Sequence, residues 1–321
     1  MDELSLPELA QALGESAAFR NKCHIKPAIE AFADLGAAFG IQNGDDAAAI
    51  PDGDGFLLLA AEGIIPSMLH ENPHMAGLCA VLANVNDIYA MGGRPLAMVD
   101  VIGTPDEAGA REICRGLSHN AARFRVPVVG GHVLRTQSDV SLSVAILGKA
   151  RKLITSFAAR PGDRLVLISN AKGQWLSQGF WNCTLECNNA DLVANLEMLP
   201  QVAELGLVRA GKDVSMAGIA GTTVMLAESS GLGACIDLDR ISPPQGVALV
   251  PWLLAFMSYG FVLAVDPAQV DALVGLFRRQ GLDGTDIGSF HEEGRVLLAR
   301  GSERAVLWDF GRSGFAGGAD S

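Results

Sequence analysis

None of the six cysteines of this 321-residue chain forms a Cys-x-x-Cys pair. A zinc ribbon or dithiol redox motif is therefore excluded. Cys23, Cys79, Cys114, Cys183, Cys187 and Cys235 stand scattered in mostly apolar surroundings, and buried thiols are the expectation. Cys183 and Cys187 have a spacing that would suit a metal, but no second Cys or His pair lies near them. Positive charge is also scarce, with 24 Lys and Arg against 36 Asp and Glu and a net charge of −12. A protein that grips nucleic acid through its phosphates needs a basic surface, so that class is excluded; a free nucleotide is compatible when cations accompany it. No apolar run reaches the ~18 residues of a membrane span. The start, MDELSLPELAQALGES, is acidic where a secretory signal is basic. The expectation is a cytoplasmic protein with no membrane partner.

Apolar residues are abundant: 49% of the chain, with a mean hydropathy of +0.27. The surplus predicts an extensive interface, and the length predicts two domains of roughly 150 residues each. Helical spacing runs through LPELAQALG and IKPAIEAFADLGAAFG. AAAI and GFLLLAAEG flank the turn signal PDGDG and read as a hairpin. HMAGLCAVLANVNDIYAMGG, apolar on most sides, reads as a buried helix. PLAMVDVIG, an amphipathic helix from PDEAGAREICRG onward, VPVVGGH and SDVSLSVAILGKA complete the first half, with a hairpin expected between the last two strands. RPGDRLVLIS opens the second half, with helices expected around 190–209 and 214–230 and strands and helices following to RAVLWDF. Strands and helices do not alternate strictly, so the fold class is α+β. GRSGFAGGADS, residues 311–321, reads as a disordered tail.

Carboxylates recur where these elements end. Asp45 and Asp46 follow Asn43-Gly44, and Glu62 ends an apolar strand. Asn84 and Asp87 share a face of the buried helix, and Asp213 opens the helix expected at KDVSMAGIAG. His132 follows Gly130-Gly131 at the end of VPVVGG. Burying several carboxylates uncompensated costs several kcal/mol each, and few basic residues stand beside them. Divalent cations would offset the charge, Mg²⁺ being bound through one or two carboxylates plus waters and phosphates. Gly130-Gly131 would allow a phosphate or base close to the backbone, and SMAGIAG would present helix amides. Lys22, His24 and Lys26 are candidates for phosphate contact. Each residue also has an ordinary reading: Asp45 and Asp46 as turn residues, Asp87 as a partner of Arg94, Asp213 as an N-cap, His132 as a structural histidine.

GDDAAAI (44–50), NVNDIYAMGGRPLAM (84–98), VVGGH (128–132), RPGDRLVLIS (160–169) and KDVSMAGIAG (212–221) occur in an order that resembles the aminoimidazole-ribonucleotide-synthetase-like superfamily. Thiamine-monophosphate kinase, selenophosphate synthetase and the hydrogenase maturation factor HypE are members. The resemblance implies a two-domain PurM-like fold, with an N-terminal domain (1–150) that pairs across a homodimer into a central β-barrel and a C-terminal α/β-type domain (151–310). It implies ATP held with Mg²⁺. Asp45, Asp46, Glu62, Asp87 and Asp213 fall on the metal positions, and Gly44, Asn84, Asn86, Gly130, Gly131 and His132 on the cofactor site. Asp213 and His132 are the catalytic candidates, and a small molecule is the implied acceptor. The implied function is phosphoryl transfer or ATP-driven activation. The alternative is an inactive nucleotide-binding homodimer with a sensing or scaffold role. Departures are specific. Glu62 stands where the kinase has Asp, Met216 where it has an acid, and MSYGFVL where it has GGEDYEL. Cys23 lacks the glycine-rich surroundings of the selenophosphate synthetase cysteine, and the chain ends in Ser321 where HypE has cysteine.

Overall fold

The computed structural model describes residues 4–38, 40–177, 179–185 and 187–316. The chain opens with α1 (Leu6–Gly14), α2 (Ala17–Cys23) and α3 (Lys26–Ala38), then β1 (Ala48–Asp52), β2 (Gly55–Gly63), α4 (Pro66–Glu71) and α5 (Pro73–Ala90). Next come β3 (Arg94–Thr104), α6 (Glu107–Phe124), β4 (Val128–Arg135), β5 (Ser141–Ala150), β6 (Arg164–Ser169), β7 (Gln174–Ser177) and β8 (Phe180–Asn182). After α7 (Asn189–Glu204) follow β9 (Ala210–Asp213), α8 (Gly218–Ser229), β10 (Gly233–Asp237), α9 (Leu249–Leu253), β11 (Phe256–Met257) and β12 (Gly260–Val265). The order closes with α10 (Val270–Arg279), β13 (Asp283–His291), β14 (Arg295–Arg300) and β15 (Glu303–Asp309).

The class is α+β, and the chain divides into two compact units. The first gathers Met1–Asp45, Ile154–Glu186 and Leu205–Ser321; the second gathers Asp46–Leu153 and Cys187–Glu204. This division differs from the sequence reading at two places. Residues 1–45 belong with the C-terminal half, and 187–204 with the N-terminal half.

The second unit is built on an open five-stranded sheet, β1-β2-β5-β3-β4. The Asp-Gly punctuation acts as expected: Gly53, at φ +62°, turns β1 into β2. β4 does not form the expected hairpin with β5. It runs parallel to β3 through the α6 crossover, and β5 lies between β2 and β3, antiparallel to both. α5 starts at Asn72, whose side chain accepts from the Met75 amide, with Pro73 in its first turn. Asp106 caps α6 in the same way through the Gly109 amide. These two helices cover one face of the sheet, against Leu58, Met98, Ile102, Val144 and Ile146. Their backbones meet at Gly77 and Gly116: a Cβ on Gly116 would lie 2.0 Å from the His74 carbonyl, and one on Gly77 2.4 Å from that of Ile113.

The first unit holds a mixed seven-stranded sheet, β15-β14-β10-β13-β6-β12-β9, and a small sheet, β11-β8-β7. Its core joins Leu6, Leu9 and Leu13 of α1 and Phe19 of α2 to the apolar α8 and the sheet. Asp213 corrects one expectation, since it ends strand β9 and the helix begins only at Gly218. The tail corrects another. Phe315 is fully buried and packs edge-to-face with Phe19 and Trp308, while the Ala316 amide donates to Glu228 at 2.7 Å. Residues 317–321 of the expected tail lie outside the described residues.

Candidate functional site

In the first unit, Gly44 takes a φ of +103°, a conformation open to glycine, and turns the chain into Asp45. One Asp45 oxygen accepts from the Ser156 amide at 2.9 Å and the other from the Ser156 hydroxyl at 2.5 Å. The Lys212 ammonium stands 3.8 Å away and donates to Ser156 Oγ at 3.2 Å. The Asp45 and Lys212 side chains are only 2% and 4% exposed, so this is a buried ion pair bridged by a hydroxyl. Asp45, the first of the expected metal ligands, thus has partners within its own unit. Neither Ser156 nor Lys212 figured among the sequence candidates. Lys212 carries a readable signal, a cation directly before an acid in the short stretch AGKDV; Ser156 carries none.

Asp213, the next residue on β9, is buried, and its carbonyl accepts from Thr222 Oγ1 at 3.4 Å. From there the chain turns into α8 through two left-handed residues, Ala217 (φ +77°) and Gly218 (φ +62°). Gly218 has no room for a side chain, because a Cβ would meet the Leu253 carbonyl at 2.4 Å. Lys22 reaches this loop and donates to Ser215 Oγ at 2.9 Å, whereas Lys26 pairs with Glu30 at 3.5 Å. A cation, a left-handed glycine and the start of a helix thus meet at one loop, a combination that suits an anion. Met216, exposed in the same loop, adds no charge.

In the second unit, Asn84, Asn86 and Asp87 are all buried on α5. Asn84 donates to the Ala80 carbonyl at 2.8 Å, and its Oδ1 has no hydrogen-bond donor among the described residues. Arg94 contributes to α7, bonding Glu197 and Glu204 at 2.8 Å each, so the sequence pairing of Asp87 with Arg94 is replaced. Tyr89 donates to Glu197 at 3.2 Å, and burial raises its hydroxyl well above the usual phenol range. Asp46 leads into β1, and Glu62 is exposed as the penultimate residue of β2. Gly130, Gly131 and His132 lie on the edge strand β4. His132 pairs with Val101, whose side chain is on the face that α5 and α6 leave uncovered. Strand alternation therefore sets His132 on the opposite face of the sheet from Asn84 and Asp87. Among the described residues no three His, Cys, Asp or Glu side chains gather as a metal cage.

Comparison with known proteins places the chain. The N-terminal domain profile of the AIR synthase related proteins matches residues 44–150 and the C-terminal domain profile residues 160–299. The chain belongs to the AIR synthase related family. It is 45% identical over 285 residues to the uncharacterized protein sll0787 of Synechocystis sp., covering 88% of each chain. It is 30% identical to the uncharacterized protein MJ0640 of Methanocaldococcus jannaschii, covering 73% of this chain and 74% of that one. Similarity extends at 26% identity to phosphoribosylformylglycinamidine synthase subunit PurL of Methanosarcina barkeri, over 83% of this chain and 41% of PurL. Among solved structures, T. maritima PurL complexed with AMPPCP superposes with a TM-score of 0.72 at 18% identity, over 97% of this chain and 52% of PurL. The chain thus spans about half the length of the PurL proteins it matches. AaThiL complexed with AMPPCP and TMP gives a TM-score of 0.62 at 18% identity, over 81% of this chain and 89% of AaThiL. The HypE–HypF complex gives 0.67 at 17% identity, over 86% of this chain and 98% of that one. At these identities the structures establish a shared fold.

Proposed function

We propose that the protein is an ATP-dependent enzyme, working as a homodimer, that phosphorylates a small molecule or activates it through a phosphate ester. The nucleotide reading is carried by the β9–α8 loop, where Lys22 donates to Ser215 and the chain enters α8 at the left-handed Gly218, a setting that would suit a phosphate. Family membership supports it, since the PurL and AaThiL structures were solved with ATP analogues. Magnesium enters this reading only together with the nucleotide phosphates, through a few carboxylates, with Asp45, Asp46, Glu62, Asp87 and Asp213 as candidate contacts. When bound, the ion would neutralise phosphate charge. The chain's own part is to position: in phosphoryl transfer the protein mainly orients the terminal phosphate and stabilises its charge with fixed donors. Gly130, Gly131, Asn84 and Asn86 remain the proposed nucleotide contacts, and Asp213 and His132 the proposed catalytic candidates. Isothermal titration tests the reading. ATP should bind in a Mg²⁺-dependent way, and Lys22→Ala should weaken it about tenfold, the scale of a charge-assisted bond to phosphate. ATP binding that is absent, or indifferent to Lys22, refutes it.

Met216 favours the second reading, a nucleotide-binding dimer without turnover, because it leaves the loop one acid short of the kinase pattern. ADP release from ATP in a metabolite extract separates the two: release that depends on the extract supports the enzyme, and binding without release supports the sensor.

A further inference from the structure

A groove of about 610 Å³ runs between α6 and the β3–β4 edge of the second unit, away from the candidate nucleotide residues of α5. Its walls are apolar, from Leu117, Ala121, Val126 and Val128, and two charges of opposite sign face it, Asp100 and Arg125. Asp100 lies on the helix-covered face of β3, between the fully packed Met98 and Ile102. It is the one carboxylate on that face of the strand. Its carboxylate is half-exposed and opens onto the groove. Among the described residues Asp100 has no hydrogen bond or ion pair. Its carboxyl leans over Gly131, its β4 neighbour, where any Cβ would come within 2.7 Å of Asp100 Cγ and Oδ1. The second glycine of the Gly-Gly pair is therefore needed to keep this carboxylate in the groove.

Arg125 is unusual in its own way. It ends α6 in the left-handed conformation (φ +58°, ψ +37°), a position where glycine is the common choice. A side chain there costs about 1 kcal/mol. The chain carries that cost and sets a guanidinium at the groove, with no ion pair among the described residues. A carboxylate and a guanidinium thus face one apolar groove without pairing with each other. A ligand carrying both charges and an apolar body would complete both.

The geometry points to a binding site for a small zwitterion, an α-amino acid with an apolar side chain, its ammonium on Asp100 and its carboxylate on Arg125. Ser118 and Cys114 line the rest of the groove. Burial, with the Asp100 charge beside it, pushes the Cys114 thiol up, so it stays protonated and neutral at physiological pH and adds no competing anion. Such a site adjoins Gly131, one of the proposed nucleotide contacts, and suits either an effector or an acceptor.

The test uses the full chain, with the apolar L-amino acids from alanine to phenylalanine each titrated by saturation-transfer NMR and calorimetry. At least one should bind with a Kd of about 1 mM or tighter. Its decarboxylated amine and its deaminated acid should each bind at least about tenfold more weakly. Asp100→Asn and Arg125→Gly should each reduce binding by a similar factor. Arg125→Gly should keep or raise the melting temperature, so its loss of binding would not reflect misfolding. Failure of every amino acid to bind at about 10 mM overturns the inference. So does an amine that binds as well as its parent, or binding that both variants leave unchanged. An ATP titration run in parallel reports separately on the nucleotide reading.

Discussion

A lysine ammonium removed from water must be met by charge and hydrogen bonds, and Lys212 is met by Asp45 and Ser156. Lys212→Met leaves the Asp45 carboxylate buried with that partner gone. Urea unfolding should show a loss of about 3 kcal/mol, and adding Asp45→Asn should recover part of it. A loss below about 0.5 kcal/mol would show that the pair does not hold the unit together. Asp100 works in the opposite direction. Burial raises its carboxyl above the ordinary 3.8, so the folded state holds the proton more tightly than the unfolded chain. Its contribution is neutral below that ordinary value, becomes unfavourable as pH rises toward the folded value, and stays unfavourable above it. Asp100→Asn should therefore raise the melting temperature at pH 7 and leave it unchanged near pH 3. The gain should be below about 1 kcal/mol, because solvent screens the half-exposed group. Equal gains at both pH values would contradict burial as the cause.

At the scale of elements, the contact of α5 with α6 rests on two glycines. Gly116→Ala forces a methyl group into the His74 carbonyl, and thermal unfolding should show a loss of about 2 kcal/mol or more. Gly275 in α10 has open space around it apart from the Arg279 side chain at 3.4 Å. Gly275→Ala should stabilise by about 0.5–1 kcal/mol through helix propensity. The opposite signs distinguish packing from backbone entropy. The same elements show what local pattern conveys. α5 was readable because it is apolar on most sides, and the β1–β2 hairpin because Asp-Gly has a turn preference of its own. β9 was not. Its four residues, AGKD, follow a helical stretch and precede another, and only its pairing with β12 makes them a strand. The partner of β4 was equally hidden, because an edge strand parallel to β3 and a hairpin strand beside β5 have the same residue alternation.

For the whole molecule, the apolar surplus in composition has a location. The sheet face that α5 and α6 leave uncovered carries Leu59, Val99, Val101 and Leu147, between 37% and 48% exposed. Its edge strands, β1 and β4, each have one side without a strand partner in this sheet. A face of this kind calls for a cover, and the proposed homodimer supplies it with a second copy of the same sheet. Light scattering should give twice the mass of one chain. Val99→Glu combined with Val101→Glu should return a monomer that keeps its circular dichroism; a variant dimer would place the interface elsewhere.

The sequence by itself determined the class of fold, the family and the positions of acidic residues at the ends of elements, because periodicity, turn chemistry and motif order are local properties that survive without a structure. It could not determine what those acids touch. Asp45 faces Ser156 and Lys212, which lie more than a hundred residues further along the chain, and His132 faces away from Asp87 because of a strand register that no local residue encodes. Only the tertiary structure decided these matters, since a buried charge is defined by the partner that solvates it, and that partner is brought in by packing.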